Sequence, residues 1–134
     1  MITSVAENGY IRHRFTGVVD ADQVRDWYAT LDLTNEATSG GIYAFIDYSQ
    51  LKSITKKAMD LIVDVQRDAR DAGLVRVAVV VNSGMLQLQT ERLARSSAIY
   101  NVERYISSDR TPNWEDVAKA WLIHGIEPSA YRGE

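Results

Sequence analysis

The stretch from Ile42 to Met59 constrains this chain more than any other. Its first part, Ile42–Asp47, reads Ile-Tyr-Ala-Phe-Ile-Asp, apolar with no alternation. A strand with one wet face alternates, so this one is expected to be covered on both faces. It ends in an acid, crosses a short polar loop and enters a helix at Thr55. Residues 76–81, Arg-Val-Ala-Val-Val-Val, form a second run of the same kind. Two doubly covered strands separated by an amphipathic helix call for an α/β sheet with helices packed on it.

The remaining segments fit that frame. Residues 2–6 and 10–19 read as two strands joined at Asn8-Gly9, a favoured hairpin turn. In the second, Ile11, His13 and Phe15 alternate with Arg12, Arg14 and Thr16, which predicts one apolar and one charged face. Asp20 to Gln23 resembles a capping box, with Val24, Trp27, Tyr28 and Leu31 following at helical spacing. Thr38-Ser39-Gly40-Gly41 breaks the chain. Thr55 caps a helix running to Gly73, with Ala58, Leu61, Ile62, Val65 and Ala69 on one stripe and Gly73 as terminator. Asn82-Ser83-Gly84 leads into a third helix over residues 85–100, followed by a short strand over 102–107. Thr111-Pro112 opens a last helix carrying Trp114, Val117, Ala118, Trp121 and Leu122, which His124 and Gly125 end. The predicted fold is α/β: a β-hairpin, then βα units, in a mixed sheet with parallel C-terminal strands and about four helices. Residues 1–126 form a single domain and 127–134 a tail.

This order resembles the STAS fold of bacterial anti-sigma-factor antagonists, and more closely the SpoIIAA-like families of small bacterial proteins. Phe45-Ile46-Asp47-Tyr48-Ser49 carries the resemblance most specifically, and residues 76–81 with the ending from Trp114 to Leu122 add to it. In the antagonists a similar strand ends in an Asp, and the loop beyond reaches an Asp-Ser-Ser-Gly-Leu motif bearing the phosphorylated serine. Aligned on Asp47, that motif falls on Thr55-Lys56-Lys57-Ala58-Met59, with lysine at both serine positions. A phosphoserine switch adds roughly −1.5 to −2 of charge at a helix N-terminus. Here the two serine positions hold cations and no hydroxyl, so the phosphorylation mechanism does not transfer. The resemblance implies a non-enzymatic bacterial domain that binds a regulatory protein partner, or else carries a small apolar, lipid-like or anionic ligand; a third reading is an enzyme using Asp47 and its polar neighbours.

Open α/β sheets bind ligands beyond the carboxyl ends of their strands. That edge is expected to gather Asp47, Tyr48 and Ser49, then Asn82 and Ser83, with Ser53, Thr55, Lys56 and Lys57 at the neighbouring helix start. These residues are the candidate partner or ligand site, the lysines and helix N-terminus suiting an anionic group. An aromatic-lined hollow between helices and sheet, around Trp27, Tyr28, Trp114 and Trp121, would suit an apolar ligand instead. Tyr43, Tyr48, Tyr100 and Tyr105 are candidates for a homodimer surface.

Other classes find little support. With no cysteine there is no disulfide or thiolate chemistry. Ser49 and Ser83 lack a base with an orienting partner, since His13 and His124 stand apart from any motif. The acids and two histidines show no ligand spacing for a metal, and no cofactor-binding glycine loop is present. Asp60, Asp64, Asp68 and Asp71, interleaved with Arg67 and Arg70, read as a solvated helix face with local ion pairs. A net charge of −3 argues against nucleic acid. No apolar run approaches the ~20 residues of a membrane span. The first residues lack a basic segment followed by an apolar run, so a cytoplasmic location is expected.

Overall fold

The computed structural model describes residues 1–33 and 40–133. Its strands are β1 (Ile2–Glu7), β2 (Tyr10–Phe15), β3 (Gly17–Val19), β4 (Ile42–Asp47), β5 (Leu51–Ile54), β6 (Leu74–Val81) and β7 (Glu103–Ser107). The α-helices among the described residues are α1 (Ala21–Thr30), α2 (Lys56–Ala72), α3 (Gly84–Ser96) and α4 (Trp114–His124). Five strands form one sheet in the order β1-β2-β4-β6-β7. The β1–β2 hairpin is antiparallel, and every later pairing is parallel. Of the break predicted over residues 38–41, Thr38 and Ser39 lie outside the described residues.

The period-2 pleat sorts the sheet residues onto two faces. Phe15, Ala44, Val77, Val79 and Val81 face α1, α2 and α3, where Val24, Trp27, Ala58, Ile62, Val65 and Leu86 pack on them. Tyr10, Phe45, Ala78, Val80 and Ile106 face the opposite side and meet Val117, Ala118, Trp121 and Leu122 of α4. Both faces of β4 and β6 are buried, as their unbroken apolar runs require.

The residues expected as one strand, 10–19, divide at Gly17. Gly17 takes φ +68°, a left-handed conformation that favours glycine, and β3 turns away from the main sheet to pair with β5. The stretch expected as a polar loop before Thr55 therefore contains a strand. Val19 leads into Asp20, the N-cap of α1, and Ile54 leads into Thr55, the N-cap of α2. The parallel β3–β5 pair thus sets the N-termini of α1 and α2 side by side.

Of four helix boundaries, two confirm expectation and two differ from it. Gly73 and Gly125 end α2 and α4 in the left-handed conformation, as predicted. Helix α3 stops at Ser96, short of Tyr100. Ala98 adopts φ +63°, and the Ile99 amide donates to the Ala94 carbonyl at 2.9 Å, closing a Schellman-type end without a glycine. Helix α4 starts at Trp114 with Asn113 as N-cap, so Pro112 lies in the preceding turn. Beyond Gly125 the chain stays on the domain. Glu127 pairs with Arg104 at 2.8 Å, and Tyr131 packs against the α4-side core.

Candidate functional site

The charged face expected on β2 is not a solvated one. Arg12 is buried, its guanidinium 4.5 Å from the Phe45 ring centre and 5.8 Å from that of Trp114. Its Nη2 donates to Asp47 Oδ2 at 2.9 Å and to Glu115 Oε1 at 3.0 Å. Arg14 Nε donates to the same Asp47 oxygen at 3.3 Å. Asp47 Oδ1 accepts from the Ser49 amide at 2.9 Å and the Ser49 hydroxyl at 2.6 Å. Burial alone would raise the Asp47 carboxyl, but the Ser49 and Arg12 hydrogen bonds hold it below its ordinary value. All of this lies on the α4 side. A pleat that alternates Tyr10, Arg12 and Arg14 against Ile11, His13 and Phe15 brings arginine under a helix when both faces are covered.

The candidate residues at the strand ends take distinct places. Asn82 Nδ2 donates to the Leu51 carbonyl at 2.8 Å and so ties the β6 end to β5. Thr55 and Ser83 cap α2 and α3, accepting from the amides of Ala58 at 3.2 Å and Leu86 at 3.1 Å. Tyr48 is buried in the α1–α3-side core, so it is not part of a dimer surface. Ser53, Lys56 and Lys57 are exposed. Lys56 Nζ lies 3.4 Å from Asp60, one of several local ion pairs along α2. With Asp20, Ala21, Asp22, Arg25 and Thr55, the two lysines line a shallow open hollow of about 410 Å³ between the starts of α1 and α2. The structure therefore brings Lys56 and Lys57 together with α1, and keeps Asp47, Ser49 and Asn82 in internal bonds.

The more enclosed space lies on the other face. An apolar cavity of about 70 Å³ sits between the sheet and helices α1, α2 and α3. Phe15, Trp27, Tyr48, Ile62, Val65 and Val79 form much of its wall. The hollow expected around aromatic residues thus exists near Trp27, whereas Trp114 and Trp121 belong to the opposite core.

Besides Tyr48, two titratable side chains complete that wall: His13 on β2 and Glu103 on β7. The sequence reading named neither as a cavity residue. His13 Nδ1 lies 2.7 Å from the Ser4 hydroxyl, and Trp27 Nε1 donates toward it at 3.3 Å. Burial pushes the imidazole down to about 4, so it is neutral at neutral pH. Glu103 is 3% exposed, and Tyr105 donates its hydroxyl to Glu103 Oε1 at 2.7 Å. Burial raises the Glu103 carboxyl to about 8, offset only in part by the Tyr105 bond. The signal for Glu103 was alternation. Tyr105, two residues on, shares its face, so an inward Tyr105 required an inward carboxyl.

Among the described residues, no group of histidine and acidic side chains is placed to hold a metal ion. No helix among them is long and apolar enough to cross a membrane.

No sequence-family model matches this chain, and no curated protein matches it in sequence. Solved structures do match in fold. An uncharacterized protein with a SpoIIAA-like fold from Shewanella loihica PV-4 aligns with TM-score 0.59 and 16% identity, over 91% of this chain and 92% of that one. The phosphorylated form of the Bacillus cell-fate determinant SpoIIAA aligns with TM-score 0.55 and 12% identity, over 81% and 94%. The unphosphorylated anti-sigma factor antagonist SpoIIAA aligns with TM-score 0.52 and 14% identity, over 66% and 79%. The fold of this chain is SpoIIAA-like.

Proposed function

We propose that this chain is a non-enzymatic SpoIIAA-like binding domain whose interior takes a small apolar ligand. The observation that carries this reading is the cavity beneath α1, α2 and α3, lined mostly by apolar side chains with His13, Tyr48, Gln66, Thr90 and Glu103 among them. Well-packed cores leave few voids larger than a water. A mostly apolar hollow beside a buried acid that no described cation pairs is suited to a bound guest. Its volume, about 70 Å³, is below the ~150 Å³ that admits benzene in an engineered cavity. A guest of lipid-like size therefore has to displace part of the α1–α2 cover as it enters.

The test is native mass spectrometry of freshly purified protein. Extra mass lost on denaturation, and absent from an Ala69→Leu variant that fills the cavity from α2, is the expected result. Overpacking of this kind costs about 1–3 kcal/mol, so circular dichroism and a melting curve establish that the variant is folded. A ligand-free spectrum, together with no binding of medium-chain apolar probes, overturns the reading. The same spectrum reads out a homodimer.

A second reading has its own observation. The β3–β5 pair places two helix N-termini and the exposed Lys56 and Lys57 around one open hollow, a surface suited to an acidic segment of a regulatory protein. SpoIIAA, which shares this fold, is an anti-sigma factor antagonist, and this reading takes partner binding from that likeness. Exchange of both lysines for glutamate is expected to abolish capture of such a partner while leaving the fold intact. Unchanged capture removes this surface from consideration.

A further inference from the structure

Two titratable groups stand at opposite ends of the cavity wall, His13 on β2 and Glu103 on β7. At the β2 end, the Trp27 indole N–H can only donate, and it points at His13 Nδ1. The Ser4 hydroxyl lies nearer that indole, at 3.1 Å, and 2.7 Å from Nδ1, so Trp27, Ser4 and His13 bond among themselves with either ring tautomer. At the β7 end, Glu103 Oε1 accepts from Tyr105, while Oε2 is bonded to no described residue. Strand order places three inter-strand steps, β2 to β4 to β6 to β7, between His13 and Glu103, or about 14 Å.

The surroundings of Glu103 decide what it offers. From β7, Tyr105 is spent on Oε1. Arg104 points to the other face, over the Trp121 ring, and reaches only the Glu103 carbonyl oxygen. From the sheet, Tyr48 and His13 face the same space, both uncharged. From α2 comes Gln66, whose Oε1 accepts from Ser97. From α3 come Thr90, bonded to the Gln87 carbonyl, and Leu93. Glu91 and Tyr100 stand beyond, on the Tyr105 side. No described cation pairs with the Glu103 carboxyl. A carboxyl in this position is held in its neutral form and becomes a hydrogen-bond donor.

We propose that Glu103 reads the polar end of the guest, donating its carboxyl proton to a carbonyl oxygen of an apolar ligand. Tyr105 acts as a positioning residue, fixing the rotamer so that Oε2 turns to the cavity. Glu103 then supplies a donor at the β7 end of the wall, so the preferred ligands carry an oxygen acceptor on an apolar body. An alkyl ammonium would bring three donors to a wall where Glu103 Oε2 is the main open acceptor. This inference rests on the cavity being a ligand site, and it names the class that site selects.

The test uses three probes of similar length: 2-nonanone, n-nonane and n-octylamine. Binding is measured by calorimetry on the wild type, Glu103→Gln and Glu103→Leu between pH 6 and 9.5. Glutamine keeps a neutral donor, and leucine keeps the apolar volume. 2-Nonanone is expected to bind wild type at pH 6.5 at least about tenfold tighter than Glu103→Leu, the value of one good hydrogen bond in a dry site. Glu103→Gln is expected to bind within about threefold of wild type, because its amide also donates. Wild-type affinity for the ketone should fall as pH rises past about 8, whereas that of Glu103→Gln stays level. Equal ketone binding by wild type and Glu103→Leu, or a level wild-type profile, overturns the role of Glu103 even if nonane binds. Octylamine binding that strengthens with pH and vanishes in Glu103→Gln also overturns it, because Glu103 would then serve as an anion. If no probe binds any of the three proteins, the cavity reading itself fails and this inference falls with it.

Discussion

Asp47 ends the strand that most constrained the fold, and its removal tests what it is for. Its side chain is 1% exposed, and that of Arg12 is 8% exposed. Asparagine at this position keeps an Oδ1 acceptor for the Ser49 amide but removes the charge facing Arg12 and Arg14. Arg12 is then left with Glu115 alone, whose side chain is 45% exposed and whose attraction is weakened by solvent. Breaking a buried pair by deleting one partner costs about 3–5 kcal/mol. The retained Ser49 contact puts Asp47→Asn near the lower end. The double variant Arg12→Met with Asp47→Leu removes both charges and should lie closer to wild type than Asp47→Asn does. The assay is urea unfolding of all variants at pH 7 and again on acidification. Because the folded carboxyl sits below its ordinary value of 3.8, its contribution is full above that value. It disappears as pH falls through the still lower folded value. The gap between wild type and Asp47→Asn should therefore close in acid. A loss below about 1 kcal/mol at pH 7, or a gap that stays constant into acid, would refute the assignment of Asp47 to the framework and reopen it as a site residue.

The cavity acids and bases give predictions of opposite sign. Glu103 is raised from 4.5 to about 8, so its contribution is complete below 4.5 and is lost as pH rises to about 8. Glu103→Gln should gain stability relative to wild type over that window, at up to about 1.4 kcal/mol per pH unit, as read by chemical denaturation. His13 is lowered from 6.5 to about 4; its contribution is present above 6.5 and lost on acidification toward 4, and His13→Gln should flatten that limb of the thermal-stability profile. Ala98 holds φ +63° at the end of α3, and Ala98→Gly should raise stability by about 1 kcal/mol, an effect visible in the midpoint of urea unfolding. Amide exchange should be faster over the last turn of α1 than over the middle of α2. The reverse order would contradict the assignment of α1 as the mobile part of the cavity cover.

Much of the fold was legible because its buried strands are apolar through and through. Ile42–Asp47 and residues 76–81 admit few alternatives to central strands, and helix stripes with Gly73 and Gly125 beyond them mark the ends of α2 and α4. What escaped had weak local signals. Gly17 divides two strands, yet a single glycine in a strand pattern also fits a simple bulge. Ala98 ends α3 with none of the chemistry that advertises such an end. The site was less legible than the fold for a related reason. Arg12 and Glu103 are charged residues at inward positions, and alternation alone reads a charged position as wet. Only knowledge that both faces are covered reverses that reading. Asp47 stood out in the sequence because it ends an apolar run, and the same burial draws it into hydrogen bonds with its own framework.

The two faces of the sheet are spent differently, and this decides where a guest can enter. On the α4 side, Arg12, Arg76 and Arg104 bridge sheet and helix. Arg76 Nη1 donates to the Leu122 carbonyl at 3.2 Å while its guanidinium lies over Tyr43 and Trp121. The Trp121 indole donates to the Val77 carbonyl at 3.0 Å. Lifting α4 breaks buried hydrogen bonds and strands buried charge, so that face is rigid. On the other face α2 is tied to the end of α3, through Arg70 to the Ser97 carbonyl at 3.0 Å and Ser97 to Gln66 at 2.7 Å. Helix α1 is held by less. Trp27 donates to Ser4 and His13 on the hairpin, Tyr28 to Asp68 on α2, and Gln23 to the Val18 carbonyl on β3 at 3.3 Å, an exposed bond that water can replace; apolar contact adds to these. Apolar contacts can slide and re-form around an apolar guest without leaving an unsatisfied group behind. Displacement of α1, with Trp27 as its inward anchor, is thus the least costly way to enlarge a 70 Å³ cavity. It would also leave Glu103, at the far end beneath α2 and α3, in the fixed surroundings that a selective contact requires.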